Sequence, residues 1–302
     1  MNILKKTTYG LVKKLKFLPP EVYVKYYYEY YSQKRLDLNN PIEFNQKIQW
    51  LKVFYKPPIL TQLVDKYSVR PYIADKIGEQ YLNDLLGVYN QFEAIDFEAL
   101  PNQFVLKGVH GCNFNLVVED KSKLDLKKTK KLVNKWLGRN YYYRSGLEWA
   151  YKDVPPRVIA EKFLKEEGKK VLNDYKFYCY QGIVDMVQID LGRGDEHYRC
   201  YYDMQWNKLP ITKGKVKMYD ADYPKPETLE EMERLAKILS EPFPFVRVDF
   251  YSVNNKIYFG EMTFYPGDGR HDFKPEGYDK ILGDKIKLPN IPEGKRYIDC
   301  LN

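Results

Sequence analysis

Apolar and polar residues alternate most regularly near the C-terminal end of the chain. Residues 245–269 read FVRVDFYSVNNKIYFGEMTFYPGDG, with two alternating runs separated by a pair of asparagines. Alternation with a period of two is typical of a β-strand, and paired asparagines favour a tight hairpin turn. The pattern therefore predicts a β-hairpin that places Arg247 and Asp249 on one face, beside Glu261 and Thr263.

The two carboxylates of this hairpin suggest a metal site. Asp249 and Glu261 would repel each other at close range unless a cation lay between them, and Mg²⁺ held by such carboxylates together with ATP phosphates is the usual cation. The turn at residues 266–269 (PGDG) could bind a substrate oxyanion through its backbone N–H groups. Because hairpin acids are more often solvated surface charges, the interpretation depends on the residues upstream.

Helical spacing predominates in several other segments. In residues 3–18, apolar residues recur at helical intervals among five lysines, which predicts a basic amphipathic helix that ends before Pro19-Pro20. One longer helix is predicted at residues 61–77, and further helices are predicted at residues 121–138 and 228–240.

Short apolar runs between these helices predict the remaining strands. They lie at residues 85–89, 104–107, 116–118, 157–164, 174–180 and 183–189. The second run ends in Lys107, an unusual position for a residue that is almost never fully buried. Helices and strands in mixed order, without internal repeats or a low-complexity linker, predict an α+β protein with several closely packed subdomains.

Composition excludes some classes of protein. The 302 residues are 44% hydrophobic and 16% aromatic, which excludes a disordered chain. No apolar stretch approaches the ~20 residues of a transmembrane helix and no signal peptide is recognised, so a cytoplasmic protein is expected. Four scattered cysteines do not form a C-x-x-C metal motif. A net charge of +8 indicates an anionic partner, and nucleic acid is not the partner we expect.

The familiar motifs of nucleotide-binding and hydrolytic enzymes are missing from the chain. The nearest approach to G-x-G-x-x-G, at Gly192-Arg193-Gly194, lacks the third glycine. The chain carries instead an ordered series of a strand lysine, a hinge segment, a strand with an acid and a lysine, and the acidic hairpin. These are Lys107, residues 161–164 (EKFL), residues 174–176 (DYK) and residues 245–269.

In this order of parts the chain resembles the ATP-grasp superfamily from about Val64 to Gly269. The segments FNQKIQW, PNQFVLK and GEMTFYPG are similar to its TupA-like branch, whose members belong to teichuronopeptide and other surface-polysaccharide biosynthesis. The resemblance implies an α+β ATP-grasp fold that holds the nucleotide between two α+β subdomains. Four regions are implied: a basic helical N-terminal extension (1–60), the N-terminal part of the ATP-grasp fold (61–100), a small ATP-binding subdomain with a phosphate flap (101–164), and a C-terminal catalytic subdomain with the Mg²⁺ site (165–302).

The resemblance also implies roles for residues that would contact ATP. Lysines would contact the phosphates, the hinge would meet the adenine edge, and an acid would bind the ribose hydroxyls. The residues concerned are Lys66, Lys107, Glu161, Lys162, Phe163, Leu164, Asp174 and Lys176. The loop after Lys107 contains less glycine than the family's phosphate flap, which puts the flap in question.

The implied catalytic centre lies on the hairpin. Asp249 and Glu261 would hold Mg²⁺, and Thr263 stands where the family has an asparagine ligand. Arg247 would stabilise negative charge on the acyl phosphate and the tetrahedral intermediate, and Lys176 would meet a phosphate or the acyl phosphate.

The implied reaction is ATP-dependent ligation of a carboxylate to an amine through an acyl phosphate. The substrates would be an amino acid and a uronic-acid-bearing capsular or other surface glycan, or its precursor. The candidate substrate contacts are Gly267, Asp268, Gly269, Tyr142, Arg144, Arg193 and Arg199. The basic helix at residues 3–18 either docks on the fold or makes a peripheral contact with the anionic inner face of the membrane.

Three other functions stay open at this point. A glycosyltransferase could also use paired acids and a divalent metal, but it has no need of Lys107 or the hinge. A kinase could use the same fold and would release a phosphorylated product. A non-catalytic glycan-binding protein would account for the net charge but would leave the ordered acids and lysines unexplained.

Overall fold

The computed structural model describes residues 3–166, 172–192 and 196–301, with the backbone alone for residues 3–6. The helices in this part are α1 (Ile3–Val12), α2 (Pro20–Ser32), α3 (Phe44–Phe54), α4 (Ile59–Val64), α5 (Arg70–Lys76), α6 (Leu126–Leu137), α7 (Tyr141–Arg144), α8 (Leu229–Ser240) and α9 (Tyr278–Lys285). The strands are β1 (Leu85–Tyr89), β2 (Phe104–Gly108), β3 (Asn115–Val118), β4 (Val158–Lys162), β5 (Asp174–Tyr180), β6 (Ile183–Leu191), β7 (Tyr198–Asp203), β8 (Thr212–Lys213), β9 (Lys217–Met218), β10 (Val246–Val253), β11 (Lys256–Thr263) and β12 (Phe273–Lys274).

Two main sheets organise these elements. The small sheet has four antiparallel strands in the order β1-β4-β2-β3. The large sheet has six strands in the order β11-β10-β5-β6-β7-β9, which are antiparallel except for the parallel pair β7 and β9. Strand β5 lies at the centre of the large sheet and is buried along its whole length. The α+β class predicted from the sequence is confirmed, and the predicted subdomain boundary at residue 164 falls between the last strand of the small sheet and β5.

The predicted C-terminal hairpin forms from β10 and β11. Its turn residues Asn254 and Asn255 both adopt positive φ angles, 50° and 60°, which match the twist of the flanking strands. Pairing is in register from Arg247 opposite Thr263 to Asp249 opposite Glu261, and a bulge at Gly260 follows. The bulge is of the kind that re-aims side chains next to functional sites.

The prediction of a single helix at residues 61–77 is wrong, because the structure has two short helices there, α4 and α5. The Asp65 carboxylate accepts hydrogen bonds from the backbone N–H groups of Tyr67 and Ser68, at 2.8 and 3.1 Å, and so ends the first helix. Arg157 holds the same buried carboxylate at 2.5 Å. The second helix starts afresh with a proline, Pro71, in its first turn.

Helices α1 to α3 form the N-terminal part of the molecule, and an aromatic cluster that includes Tyr23, Tyr27 and Tyr28 packs between α2 and α3. Beyond α1, Leu15 and Phe17 are exposed by 40% and 82%, so part of the apolar stripe lacks a partner. No helix in the described part of the chain is long and apolar enough to span a bilayer. Peripheral contact of this segment with a membrane stays a prediction.

Candidate active site

The charged residues of the hairpin share one face of the large sheet. Along β10 they alternate with the buried Val248 and Phe250, so the register of the strand places Arg247 and Asp249 together. Asp249 lies opposite Lys176 of β5 and accepts a hydrogen bond from its Nζ at 2.7 Å. Both Asp249 oxygens also accept from Arg247, through Nε and Nη2 at 2.7 Å each.

Glu261 joins this cluster from the neighbouring strand. Its Oε1 lies 3.4 Å from Arg247 Nη2, and its Oε2 lies 3.2 Å from Lys66 Nζ. Arg247 Nη2 also donates to the Thr263 hydroxyl at 3.1 Å. One guanidinium therefore contacts all three residues that the sequence proposed as metal ligands, and Lys66 reaches the same place from the α4–α5 connection.

The electrostatic environment differs between the two acids. Burial raises the pKa of Asp249 above its ordinary value, against the opposing charges of Arg247 and Lys176. Burial also disfavours the charged form of Glu261, but the charges of Lys66 and Arg247 outweigh it and hold the pKa of Glu261 well below its ordinary range. Glu261 is thus ionised at neutral pH, and at 27% exposure it is the more accessible acid.

Magnesium fits this donor set if phosphate oxygens complete its coordination. Among the described residues, no three His, Cys, Asp or Glu side chains form a group that could hold a metal. Mg²⁺ commonly takes only one or two carboxylates and fills its other positions with substrate phosphates and water. Glu261 and Asp249 meet that requirement provided that Arg247 or Lys176 releases one of the Asp249 oxygens.

The small sheet contributes the other charged group of the cleft. Lys107 of β2 lies 2.6 Å from Glu161 of β4, and Arg70 lies 3.7 Å from the same carboxylate. With Phe259 and Gly260 of β11 these residues line a cavity of about 20 Å³ between the two sheets. This cavity is far too small for a nucleotide.

The predicted adenine hinge is partly occupied by the protein itself. The backbone N–H of Lys162 donates to Asp84 at 3.0 Å and its carbonyl accepts from Asn83 at 2.9 Å, while its side chain pairs with Asp84 in solvent. The backbone of Phe163 and Leu164, both half-buried, is left as the part of the hinge able to contact adenine. Asp174 is buried and lies 3.4 Å from Lys176.

Packing holds the loop that follows Lys107. The ring of Phe114 stacks on Trp136 at 6.0 Å, His110 bonds to the Trp136 carbonyl at 2.8 Å, and Lys66 Nζ donates to the Gly111 carbonyl at 3.2 Å. A Cβ at Gly111 would lie 2.8 Å from atoms of both Phe114 and Tyr141. Aromatic contacts thus fix the loop where the family's flap has glycine.

The turn after the hairpin is anchored through Asp268. Gly267, Asp268 and Gly269 all have φ angles near 60°, a conformation that costs energy for the aspartate. The Asp268 carboxylate is held by a buried ion pair with Lys52 and accepts from the Tyr27 hydroxyl at 2.5 Å. Asp268, proposed as a substrate contact, is therefore fully engaged by the protein.

Glu148 lies beside Asp268 and is itself buried. Burial, together with the Asp268 charge, raises the pKa of Glu148 well above its ordinary value. No pattern of neighbouring residues in the sequence singles out Glu148. Lys52 could have been found from the sequence. It lies one helical turn after Ile48 on the apolar face of α3, and a charge on such a face predicts a buried ion-pair partner.

The other proposed substrate residues lie in different places. Tyr142 is buried in the N-terminal aromatic cluster, and its neighbour Tyr141 lines a large cavity together with Arg144. Arg199 of β7 is held at 2.6 Å by the buried Asp190 of β6, and the strand register places both on the face of the large sheet that carries Lys176 and Asp249. Arg193 lies outside the described residues. The expectation for Tyr142 is thus corrected, since its side chain fills a core.

Comparison with known proteins shows one family match. A model described as TupA-like ATP-grasp matches residues 46–287. No curated protein matches the chain significantly. The family and fold predicted from the sequence are thereby confirmed.

Several solved structures show distant similarity. A D-alanine–D-alanine ligase from Bacillus anthracis is 15% identical with a TM-score of 0.43, covering 73% of this chain and 64% of its own. The corresponding enzyme from Helicobacter pylori is 17% identical with a TM-score of 0.42, covering 84% and 69%. The ATP-grasp ligase PsnB, complexed with a precursor variant, Mg and ADP, is 15% identical with a TM-score of 0.41, covering 77% and 62%. The chain thus spans less than two thirds of two of these three proteins.

Proposed function

Because the chain belongs to the TupA-like ATP-grasp family, we propose that it is an ATP- and Mg²⁺-dependent ligase that joins a carboxylate to an amine. The observation that supports this proposal most directly is the cluster on the large sheet. There Asp249 and Glu261 lie in register within reach of one guanidinium, with Lys66 and Lys176 beside them. The proposed substrates are an amino acid and a uronic-acid-bearing surface glycan or its precursor, consistent with the net charge of +8.

The proposed reaction has two steps. An oxygen of the substrate carboxylate attacks the γ-phosphorus of ATP, the bond to the β-phosphate oxygen breaks, and ADP leaves. The amine nitrogen then attacks the carbonyl carbon of the acyl phosphate and loses a proton, while inorganic phosphate leaves with the electrons of its C–O bond. Since no covalent bond to the enzyme forms, positioning and electrostatic stabilisation supply the rate enhancement.

Residues of this chain have distinct parts in the proposal. Glu261 and Asp249 would hold Mg²⁺, which when bound neutralises charge on the ATP phosphates. Arg247, once it shares its carboxylate partners with the metal, would turn its guanidinium to the transferring phosphoryl group. Lys107, which lines the small cavity together with Gly260 of β11, would exchange Glu161 for the phosphates when the two sheets move apart.

Replacement of Glu261 tests the proposal. Glu261→Gln keeps the shape of the side chain but removes the charge that attracts Mg²⁺. The rate of ATP consumption should therefore fall at least about 100-fold, as it does in other enzymes that lose one group stabilising transition-state charge. Acceptor-stimulated ADP release measures the effect, and circular dichroism checks the fold. Glu93→Gln, which removes an exposed carboxylate paired with Lys130 outside the proposed site, is the control and should leave turnover unchanged.

Ligand-dependent stability separates the ligase from a glycosyltransferase. ATP with Mg²⁺, at a concentration of 100 times its dissociation constant, should stabilise the wild-type chain by about 2.7 kcal/mol and so raise its melting temperature. UDP-sugars should not do so. Stabilisation by UDP-sugars alone, or full turnover by Glu261→Gln, would overturn the proposed function.

A further inference from the structure

A second and much larger cavity lies beside the cluster on the large sheet. Its volume is about 780 Å³, and its walls come from the segment after α1, helices α2, α6 and α7, the loop after β2, and the turn after β11. Cavities of 300 to 1,000 Å³ are typical of whole-ligand sites. The roles proposed so far leave most of these walls without a function.

Positive charge dominates the walls of this cavity. Seven cationic side chains face it, against the carboxylates of Glu148 and Asp268 alone. Lys13 lies 3.5 Å from the centre of the Tyr30 ring, and Arg270 pairs with Asp268 at 3.1 Å. The remaining five have no ion-pair partner among the described residues: Lys14, Lys16, Lys135, Arg139 and Arg144.

The unpaired cations come from separate parts of the chain. Lys14 and Lys16 follow α1, Lys135 and Arg139 lie at the end of α6, and Arg144 ends α7. Burial and the charge of the neighbouring Arg144 lower the pKa of Lys16, so these two cations repel each other in the free protein. Five like charges come together here without an ion-pair partner, and the only acids on the same walls are Glu148 and Asp268. This excess of positive charge favours a ligand that carries several anionic groups.

Only one loop separates the cavity from the catalytic cluster. Lys66 Nζ contacts both the Glu261 carboxylate and the Gly111 carbonyl, at 3.2 Å each. The next residue, Cys112, is exposed and lines the cavity. A ligand in the cavity therefore lies within electrostatic reach of the proposed reaction centre.

We propose that this cavity is the acceptor site and that it binds a polyuronate chain, one of whose carboxylates reaches the reaction centre while the others pair with the five unpartnered cations. The segment after α1 then forms one wall of the substrate site. The aromatic rings of the cavity favour such a chain over single-stranded nucleic acid, because Phe114 and Trp136 stack on each other and Tyr31 faces Arg270 at 4.7 Å. This inference rests on the proposed ligase function.

Two double variants, one on α6 and one at its C-terminal end, test the inference. Lys135→Gln/Arg139→Gln removes two cations of the cavity, whereas Lys127→Gln/Lys131→Gln removes two exposed cations with the same four-residue spacing that do not line it. Titration calorimetry of the full chain with hexagalacturonate, without ATP, gives the affinity. We expect binding at least tenfold weaker in the cavity variant and within twofold of wild type in the control, with ATP·Mg²⁺ affinity unchanged in both.

Other probes complete the test. Galacturonic acid, with one charge, and neutral maltohexaose should bind at least tenfold more weakly than the hexamer. Equal losses in the two double variants, equal affinity for the monomer, or equally tight binding of oligo-dT would each overturn the assignment. Absence of ATP·Mg²⁺ binding would contradict the ligase proposal separately, because hexagalacturonate binding is measured without nucleotide.

Discussion

Asp268 illustrates how single residues near the site are held in unusual states. Its backbone has a φ angle of 60°, and its carboxylate is buried beside that of Glu148. The adjoining Lys52 is fully buried and donates to both the side chain and the carbonyl of Asp268. Removing one partner of such a pair leaves a charge without compensation, which is much more costly than replacing both.

Lys52→Met should therefore destabilise the protein by about 3 to 5 kcal/mol. The Asp268 carboxylate would remain buried next to Glu148, with the partly exposed Arg270 at 3.1 Å as the remaining cation among the described residues. Urea unfolding measures the loss. Lys52→Met/Asp268→Asn is the matched comparison and should recover part of the stability, and an equal loss in the single and double variants would contradict the role of Lys52.

Lys213 is a second residue with an unusual environment. It is buried, lies 4.3 Å from the centre of the Phe273 ring and 5.1 Å from that of Phe44, and burial lowers its pKa to about 7. In the unfolded chain its pKa returns to about 10.4, so between pH 8 and 9.5 the unfolded state binds more protons than the native state. Stability should accordingly rise with pH in this window.

Lys213→Met should remove this pH dependence. The wild-type chain should gain up to about 1.4 kcal/mol per pH unit relative to the variant between pH 8 and 9.5. Urea unfolding at several pH values gives the two slopes. Because the pKa of the nearby Asp279 is raised to about 7 by burial, the comparison is repeated with Asp279→Asn in both chains. Parallel slopes in that background would contradict the assignment.

At the scale of elements, the position of Glu261 depends on the bulge in β11. Gly260 has no partner residue on β10, and a Cβ there would lie 3.0 Å from the Asp249 carbonyl oxygen. That backbone cannot retreat easily, because β10 is paired on both sides. The glycine thus permits the close approach that brings the two acids into one cluster.

Gly260→Ala should lower ATP turnover by about tenfold or more, since small displacements of catalytic groups are costly, while stability falls by only about 1 kcal/mol. Ile257→Val, on the same strand beyond the bulge, is a control with a similar stability cost but no effect on the position of Glu261. Turnover and urea unfolding are measured for both. Equal turnover in the two variants would contradict the importance of the bulge.

At the scale of the whole molecule, we expect ATP binding between the two sheets to involve movement, because the cavity that Lys107 and Gly260 line there encloses only about 20 Å³. Lys107 and Glu161 close it from the small sheet, and Lys66 and Phe259 lie on the opposite side. Closure of this kind excludes water from a reaction centre and commonly limits turnover. We therefore expect ATP·Mg²⁺ to change the separation of the two sheets.

Spin labels can measure this movement. One label is attached at Val117→Cys on the small sheet and the other at Ile183→Cys on the large sheet, in a chain that also carries Cys112→Ser and Cys300→Ser. Double electron–electron resonance should then show that ATP·Mg²⁺ changes the distance between the two labels. Both positions are exposed, at 51% and 68%. A control pair at Ile183→Cys and Ile281→Cys should not change, and identical distributions for the first pair would exclude opening.

Local sequence determined the elements whose signal is contained in a few neighbouring residues. The alternating pattern and the Asn254-Asn255 turn fixed the hairpin and its register, and with them the meeting of Asp249 and Glu261. The short apolar run at residues 104–107 likewise placed Lys107 on a strand. Periodicity misled at residues 61–77, because the Asp65 side chain competes with the helix for backbone N–H groups.

Only the tertiary structure decided which distant residues meet. Lys52 is paired with a residue 216 positions away, and the five unpartnered cations of the large cavity come from three elements. No local pattern records such meetings, because they depend on how the helices pack on the sheets. The sequence therefore determined the family, eight of the twelve described strands and the paired acids by itself, whereas long-range packing decided the narrow gap between the sheets, the buried Asp268 and the basic cavity.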